Sequence, residues 1–394
     1  MPRRPDVPVY RPDIYSPRAI LDPYPHYAAL RELGPVVRLP KHNAYALPRY
    51  AECRAALLDH KTFVSGDGVG LNPVINRLSR GTTLTSDGED HTRRRALVAH
   101  RLTPRALRDL TDDIRRRADE IVAAAVARRT VDGAELAAAL PLSVVPDLVG
   151  WPQEGREHLL TWGAATFDAL GPANGQAVKA IPAGLAMMRF ARDVVRHRTA
   201  LPGSMGADLL TAADNGTLTH AECPALMIDY LAPSLDTTLS GIAGALHLFA
   251  THPAQWQHLR QDPTLIPNAV NEVLRFASPL RAFSRKVAHD TELAGTALPA
   301  GTRVLVLYAS ANRDPLVWED PDTFTIHRNA SRHLAFGQGK HGCAGQGLAR
   351  LETEAFLAAL VARVATLAPA GPPRWSPNNI IHRLEHLPLE LTPA

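Results

Sequence analysis

The sequence predicts a mainly α protein with a minor β part, folded as one large domain. Three observations carry that expectation: helical apolar spacing from His91 to His252, a second helical pattern from Gln346 to Val364, and only short β-type runs outside them. The chain has 394 residues, 45% of them apolar, which is enough hydrophobic surface for a large core. No internal repeat or low-complexity linker divides it, so residues 1–394 read as a single unit.

Residues 1 to about 20 read as an irregular segment, broken by prolines and charges before any apolar run begins, and neither a signal peptide nor a membrane anchor is expected there. Tyr27 to Leu33 reads as a short helix ended by Gly34 and Pro35. Val36 to Leu39 and Ala44 to Leu47 read as strands of a small sheet near the N-terminus, and Tyr50 to Leu58 reads as helix. Val64 to Glu89 is rich in Gly, Ser, Thr and Asn, a long loop of the kind that usually serves function. In the helical middle, breaks are expected at Pro141, Pro146, Pro152, Gly171-Pro172 and from Pro202 to Gly216.

Thr219-His-Ala-Glu222 has the form of a capping box and opens an apolar helix to about Ala250. At about 1.5 Å per residue it would span about 45 Å. A membrane span is the competing reading, but Asp229, Asp236 and His247 interrupt the run and favour a core helix. Short strands return between Arg281 and Glu319, notably Arg303 to Tyr308, and Leu384, Leu387, Leu389 and Leu391 give the tail a strand-like pattern.

The 43 Lys and Arg against 39 Asp and Glu leave +4, too small an excess to indicate nucleic acid or a membrane surface as partner. Cys53, Cys223 and Cys343 are odd in number, far apart and without C-x-x-C spacing. A disulfide framework and a structural zinc site are therefore not expected, and a reducing cytoplasmic location is.

Phe336-Gly-Gln-Gly-Lys-His-Gly-Cys343-Ala-Gly345 gathers four glycines around one cysteine just before a helical pattern. A buried free cysteine beside a turn is one reading, and a catalytic thiol with His341 as its base is another, unusual for partners two residues apart. Glycines also let the backbone approach a flat ligand, while amides and the positive helix end stabilise a thiolate, which are the needs of an iron-bound sulfur. Phe336, Gly339, His341, Cys343 and Gly345 resemble the F-x-x-G-x-(Arg or His)-x-C-x-G haem loop of the cytochromes P-450.

The resemblance runs over nearly the whole chain, from Asp22-Pro-Tyr-Pro25 to the final strands, and implies the P-450 fold. It implies haem b with Cys343 as axial ligand of the iron, Phe336, Gly337 and Gly345 against the macrocycle, and His91, Arg95, Arg285 and His341 on its propionates. His91 and Arg95, spaced i, i+4 on a helix start, point the same way. Glu272-Val-Leu-Arg275, as an exposed i, i+3 pair worth about 0.2–0.5 kcal/mol, would matter little. It resembles the family's structural E-x-x-R pair. Ser234-Leu-Asp236-Thr237-Thr238 resembles the acid–alcohol pair that delivers protons to bound dioxygen, giving Asp236 and Thr237 a catalytic role. Thr237 bonding back to a carbonyl and Asp236 pairing with a distant arginine remain alternatives. Pro233-Ser234 replaces the family's usual Ala-Gly, which removes a helix hydrogen bond to the Asp229 carbonyl and bends the helix.

The implied reaction is dioxygen activation with insertion of one oxygen atom into a substrate C–H bond, the other leaving as water. Electrons would come from NAD(P)H through a ferredoxin-type iron–sulfur protein and its reductase. Arg93, Arg94, Arg101, Arg105 and Lys340 would either dock that acidic partner or form an ordinary solubilising patch. Ser65 to Leu71, Tyr45 to Tyr50, Phe167 to Asn174 and Ala309 to Pro315 are most similar to the bacterial members that demethylate para-methoxybenzoates. This implies O-demethylation or hydroxylation of a small aromatic substrate in a pocket of Phe167, Leu170, Ser234, Leu280 and Phe283. Asp229 stands where that group tends to carry a small hydroxyl residue, and the loop at Arg77 to Gly81 is shorter, so a phenol, an ether or a cationic aromatic would also suit. A peroxide-driven haem enzyme and a non-catalytic haem sensor are the other classes, against which the Asp236–Thr237 pair argues.

Overall fold

The computed structural model describes residues 7–394, of which the helix Cys223–Thr251 forms the axis. At 29 residues it is about 43 Å long. Only half of the expected capping box forms at its start: the Thr219 amide donates to Glu222 Oε2 at 3.0 Å, but the Thr219 hydroxyl turns to the same oxygen instead of capping an amide. Ile242, Leu246 and Phe249 pack into a core with Leu140, Leu274, Phe356 and Leu360 from three other helices. Gly244 allows the closest approach, since a Cβ there would stand 3.0 Å from Ala277 Cβ. No described helix is long and apolar enough to cross a membrane.

Helix makes up 56% of the chain and strand 12%, so the α-rich expectation holds. The two N-terminal strands, Val37–Leu39 and Ala44–Leu47, do not stand alone. Ala44–Leu47 pairs in parallel with Arg303–Val306, which pairs antiparallel with Phe283–Val287, and Phe63–Val64 closes the sheet. The C-terminal strand Pro388–Pro393 lies between Thr130–Asp132 and Val364–Pro369, burying Leu389 and Leu391.

Several local expectations are corrected. Pro141 and Pro146 do not break the chain; both lie buried inside one helix, Gly133–Val149, which packs along the central helix. Tertiary burial there outweighs the roughly 3 kcal/mol cost of an interior proline. Residues 202–216 contain the helix Met205–Asp214, whose Ala207 amide donates to Ser204 Oγ and whose Leu209 and Leu210 are buried. The long loop contains a short helix, Pro73–Leu78, capped by Asn72. The N-terminal segment is not irregular throughout: Pro17–Leu21 is helical behind its Ser16 cap and Val9 bridges to Arg38, while residues 1–6 lie outside the described residues. The first long helix begins at Tyr24, earlier than its apolar spacing indicates.

Glu272 and Arg275 are both fully buried, on the helix Ile266–Ala277, in a bidentate pair with two 2.7 Å contacts. Arg275 spends its remaining donors on the carbonyls of Asn312, Pro321 and Thr323. Asn312 Oδ1 in turn accepts the Leu334 amide at 2.7 Å, and the Leu334 carbonyl accepts the Gly337 amide. The ion pair is thus the anchor of a chain of bonds that ends in the cysteine loop. Glu352, on the helix Gln346–Arg363, is the opposite case: it is fully buried and neither carboxyl oxygen has a partner among the described residues. Burial alone pushes its pKa up to about 8.

Two outcomes follow. Glu272→Ala should cost about 3–5 kcal/mol in denaturant unfolding, because it strands the Arg275 charge in the core; a loss below 1 kcal/mol would contradict the anchoring role. Glu352 holds its proton more tightly folded than unfolded, so its contribution is complete below about pH 4.3 and declines as pH rises toward 8. Glu352→Gln should therefore melt a few degrees above the parent at pH 8 and converge with it near pH 4.5, and parallel melting curves would count against that account.

Candidate active site

The cysteine loop is a tight reversal closed by the Cys343 amide donating to the Phe336 carbonyl at 2.8 Å. Gly337 and Gly339 adopt φ of 63° and 71°, the left-handed region that glycine alone enters without strain. Gly339 also lies against the helix Tyr50–Leu58, where a Cβ would fall 2.6 Å from the Leu57 carbonyl oxygen. Cys53 and Cys223 are buried, whereas Cys343 keeps accessible surface, and that surface opens on an internal cavity. Burial raises the thiol pKa, opposed by the amides of Gly345 and Gln346 and by the Arg95 charge. Those amides begin the helix Gln346–Arg363, so the sulfur sits three residues before the helix yet receives its N-terminal N–H groups.

The cavity holds about 1430 Å³ of space free of protein atoms, part of it continuous with solvent. Beside the cysteine, its wall gathers His91, Arg95, Arg285 and His341. His91 and His341 stand with ring centroids 4.3 Å apart, and His91 Nδ1 is buried without a partner among the described residues. Burial, reinforced by the charges of His341 and Arg95, pushes the His91 pKa down to about 4. Arg95 donates to the Lys340 carbonyl and Arg285 to the Ser284 carbonyl, and neither meets a carboxylate among the described residues. Asp87, 3.3 Å from His341 Nε2, is the single acid paired with the group among the described residues. Four cationic or donor groups facing a cavity with one acid between them match a ligand carrying two negative charges.

One face of the central helix forms the opposite wall, through Asp229, Pro233, Ser234, Thr237 and Gly241. Thr237 Oγ1 donates to the Pro233 carbonyl and Ser234 Oγ to the Tyr230 carbonyl, each at 2.6 Å. Asp236 points off this face. It is 1% exposed, its Oδ1 accepts Arg383 Nη1 at 2.8 Å, and Oδ2 has no partner among the described residues. Burial raises its pKa against the opposing pull of Arg383.

Phe167, Leu280 and Phe283 line the cavity with Leu84. Leu170 does not: it packs beneath the 70–71 segment, where its carbonyl accepts the Leu71 amide at 2.9 Å. The basic cluster is also altered, because Arg93 and Arg94 pair with Glu222 and Arg101 pairs with Asp208. Arg105 and Lys340 stay exposed with no acid in reach among the described residues. In the long loop, where no motif marks a site residue, Thr83 and Leu84 line the cavity and hold Asp229 through their amides. An acid four residues before a proline on an otherwise apolar helix face was the available signal.

The residues present fit a haem: a thiol aimed into the cavity, glycines lining the approach, and an unpartnered His91 nitrogen among excess positive charge. Comparison with known proteins agrees. The family profile described as Cytochrome P450 matches residues 192–379. The chain is 42% identical to Cytochrome p450 CYP199A2 of Rhodopseudomonas palustris over 95% of this chain and 92% of that protein. It is 31% identical to 6-deoxyerythronolide B hydroxylase of Saccharopolyspora erythraea, over 96% and 98%. The structure of CYP109E1 from Bacillus megaterium in complex with testosterone superposes with a TM-score of 0.86 at 26% identity, covering 95% and 99%.

If His91 and Arg95 hold the anionic edge of a haem, His91→Leu and Arg95→Leu should each speed haem transfer to apomyoglobin roughly tenfold, while Arg105→Leu leaves it unchanged. Equal rates in all three would remove these residues from cofactor binding.

Proposed function

The chain belongs to the cytochrome P450 family, haem monooxygenases fed with electrons from NAD(P)H through redox partners, and on that premise we propose that it hydroxylates or O-demethylates a small aromatic substrate in the cytoplasm. The observation that carries the reading is the Cys343 thiol facing a cavity whose same end collects His91, Arg95, Arg285 and His341. When bound, haem supplies dioxygen activation at an iron whose thiolate ligand favours O–O cleavage.

Cys343 would bind the haem iron through its sulfur, with Phe336, Gly337 and Gly345 lining the approach to the macrocycle. His91, Arg95, Arg285 and His341 would hold its two carboxylates. Phe167, Leu280, Phe283 and Leu84 form an apolar wall that excludes water and orients a flat substrate against Ser234 and Thr237. Asp236 and Thr237 handle the protons. Asp236 Oδ2, buried and without a partner among the described residues, is the atom proposed to take up and pass on a proton, and Arg383, 18% exposed, connects the carboxylate toward solvent. Thr237 Oγ1 is the hydroxyl on the cavity side, and releasing its bond to the Pro233 carbonyl frees it to donate.

A ferredoxin-type iron–sulfur protein, with its reductase, is the proposed electron donor. Arg105 and Lys340 are its proposed contacts, since Arg93, Arg94 and Arg101 are already neutralised by the chain's own acids.

The test begins with the reduced, carbon monoxide-bound protein, which should give the absorption of thiolate-ligated haem. Methoxylated aromatics should then shift the Soret band and, with ferredoxin, reductase and NAD(P)H, release formaldehyde. Turnover with peroxide alone at an equal rate would favour a peroxide-driven enzyme, and absence of any turnover a sensor. Thr237→Ala should retain haem and substrate binding while product per NAD(P)H falls about tenfold and peroxide rises to match; unchanged coupling would remove Thr237 from proton delivery.

A further inference from the structure

The charged groups of the cavity wall fall into two sets of opposite sign. The cationic set lies beside Cys343. The other is Asp229, which also lines the cavity, eight residues before Thr237 and therefore about 12 Å from it along the helix axis. Asp229 is enclosed by protein yet retains accessible surface, which therefore opens on the cavity. Its Oδ2 accepts the amides of Thr83 at 2.8 Å and Leu84 at 3.4 Å, and Thr83 Oγ1 lies 3.3 Å from the Tyr230 hydroxyl. The carboxylate is thus fixed between loop and helix.

No lysine, arginine or histidine lies within ion-pairing distance of Asp229 among the described residues. Burial pushes its pKa up to about 6, which leaves it mostly ionised at neutral pH. Pro233 has no N–H, so the Asp229 carbonyl also loses its helical donor four residues on. The surrounding wall of Leu84, Phe167, Leu280 and Phe283 is apolar. A buried negative charge with no counter-ion, beside a carbonyl short of a donor, is completed by a ligand that brings positive charge and N–H groups. A ligand carboxylate would meet like charge in the same apolar surroundings.

We propose that Asp229 determines substrate specificity: it anchors the protonated amine of an aromatic substrate by a charge-assisted hydrogen bond and excludes aromatic carboxylates, presenting the far end of the ring toward Thr237. The inference rests on the monooxygenase reading and narrows its substrate class.

The haem-loaded protein is titrated with 4-methoxybenzylamine, 4-methoxybenzoate and neutral 4-methoxytoluene, following the Soret band. The amine should bind at least tenfold more tightly than the benzoate, with a shift to shorter wavelength. Asp229→Asn keeps an oxygen for the Thr83 amide and should bring that ratio close to one; Asp229→Ser should do the same and admit the benzoate. Benzoate binding as tight as the amine in the parent, an unchanged ratio in Asp229→Asn, or a shift to longer wavelength from amine nitrogen on the iron would each overturn the assignment. If none of the three probes binds although the carbon monoxide spectrum is normal, the aromatic-substrate reading itself falls, and this inference with it.

Discussion

The Cys343 sulfur is held in a position that a folded chain does not reach by default: enclosed by protein, yet turned toward an open cavity. A buried thiol ordinarily packs as a small apolar group, as Cys53 and Cys223 do here. Two left-handed glycines and one backbone bond from Cys343 to Phe336 make the reversal tight enough to expose the sulfur. The regular structure of the loop is one short 3-10 turn, Gly339–His341, too little to resist distortion by itself. Its position therefore depends on the Leu334 amide, Asn312 and, beyond them, the buried Glu272–Arg275 pair.

That dependence explains why a costly element sits so deep. An ion pair in the core is weak evidence for stability, since desolvation offsets much of the attraction. Its value here is geometric: a planar guanidinium with its acid side satisfied still offers donors to three carbonyls from an irregular stretch of chain. Those carbonyls belong to no helix or sheet ladder, and the arginine gives them a fixed partner.

The central helix carries the opposite compromise. Its lower half, from Thr238 to Phe249, is nearly all buried. The half that meets the cavity contains a proline, two hydroxyls bonded back onto their own carbonyls, and two acids that face different directions. Asp229 turns into the cavity and Asp236 turns away to Arg383. Seven residues is close to two helical turns, about 20° short of full register; the helix alone leaves the two acids nearly aligned, and side-chain packing and the Arg383 partner separate them.

Much of this was legible in the sequence. Apolar spacing determined the α-rich class and the long central helix, and the clustered glycines around one cysteine marked the loop, because both signals are local and depend on backbone geometry. The i, i+4 spacing of His91 and Arg95 showed that they point the same way, while their place beside Cys343 came from the resemblance. What remained hidden depends on neighbours far along the chain. Pro141 and Pro146 lie within a helix because the central helix covers them; Leu170 is withdrawn from the cavity by the 70–71 segment; three arginines are neutralised by Glu222 and Asp208; and Asp229 acquires its setting from the amides of Thr83 and Leu84. Local propensity and spacing are written in consecutive residues, whereas burial, counter-charge and the direction of a side chain are decided only when distant segments compete for the same space.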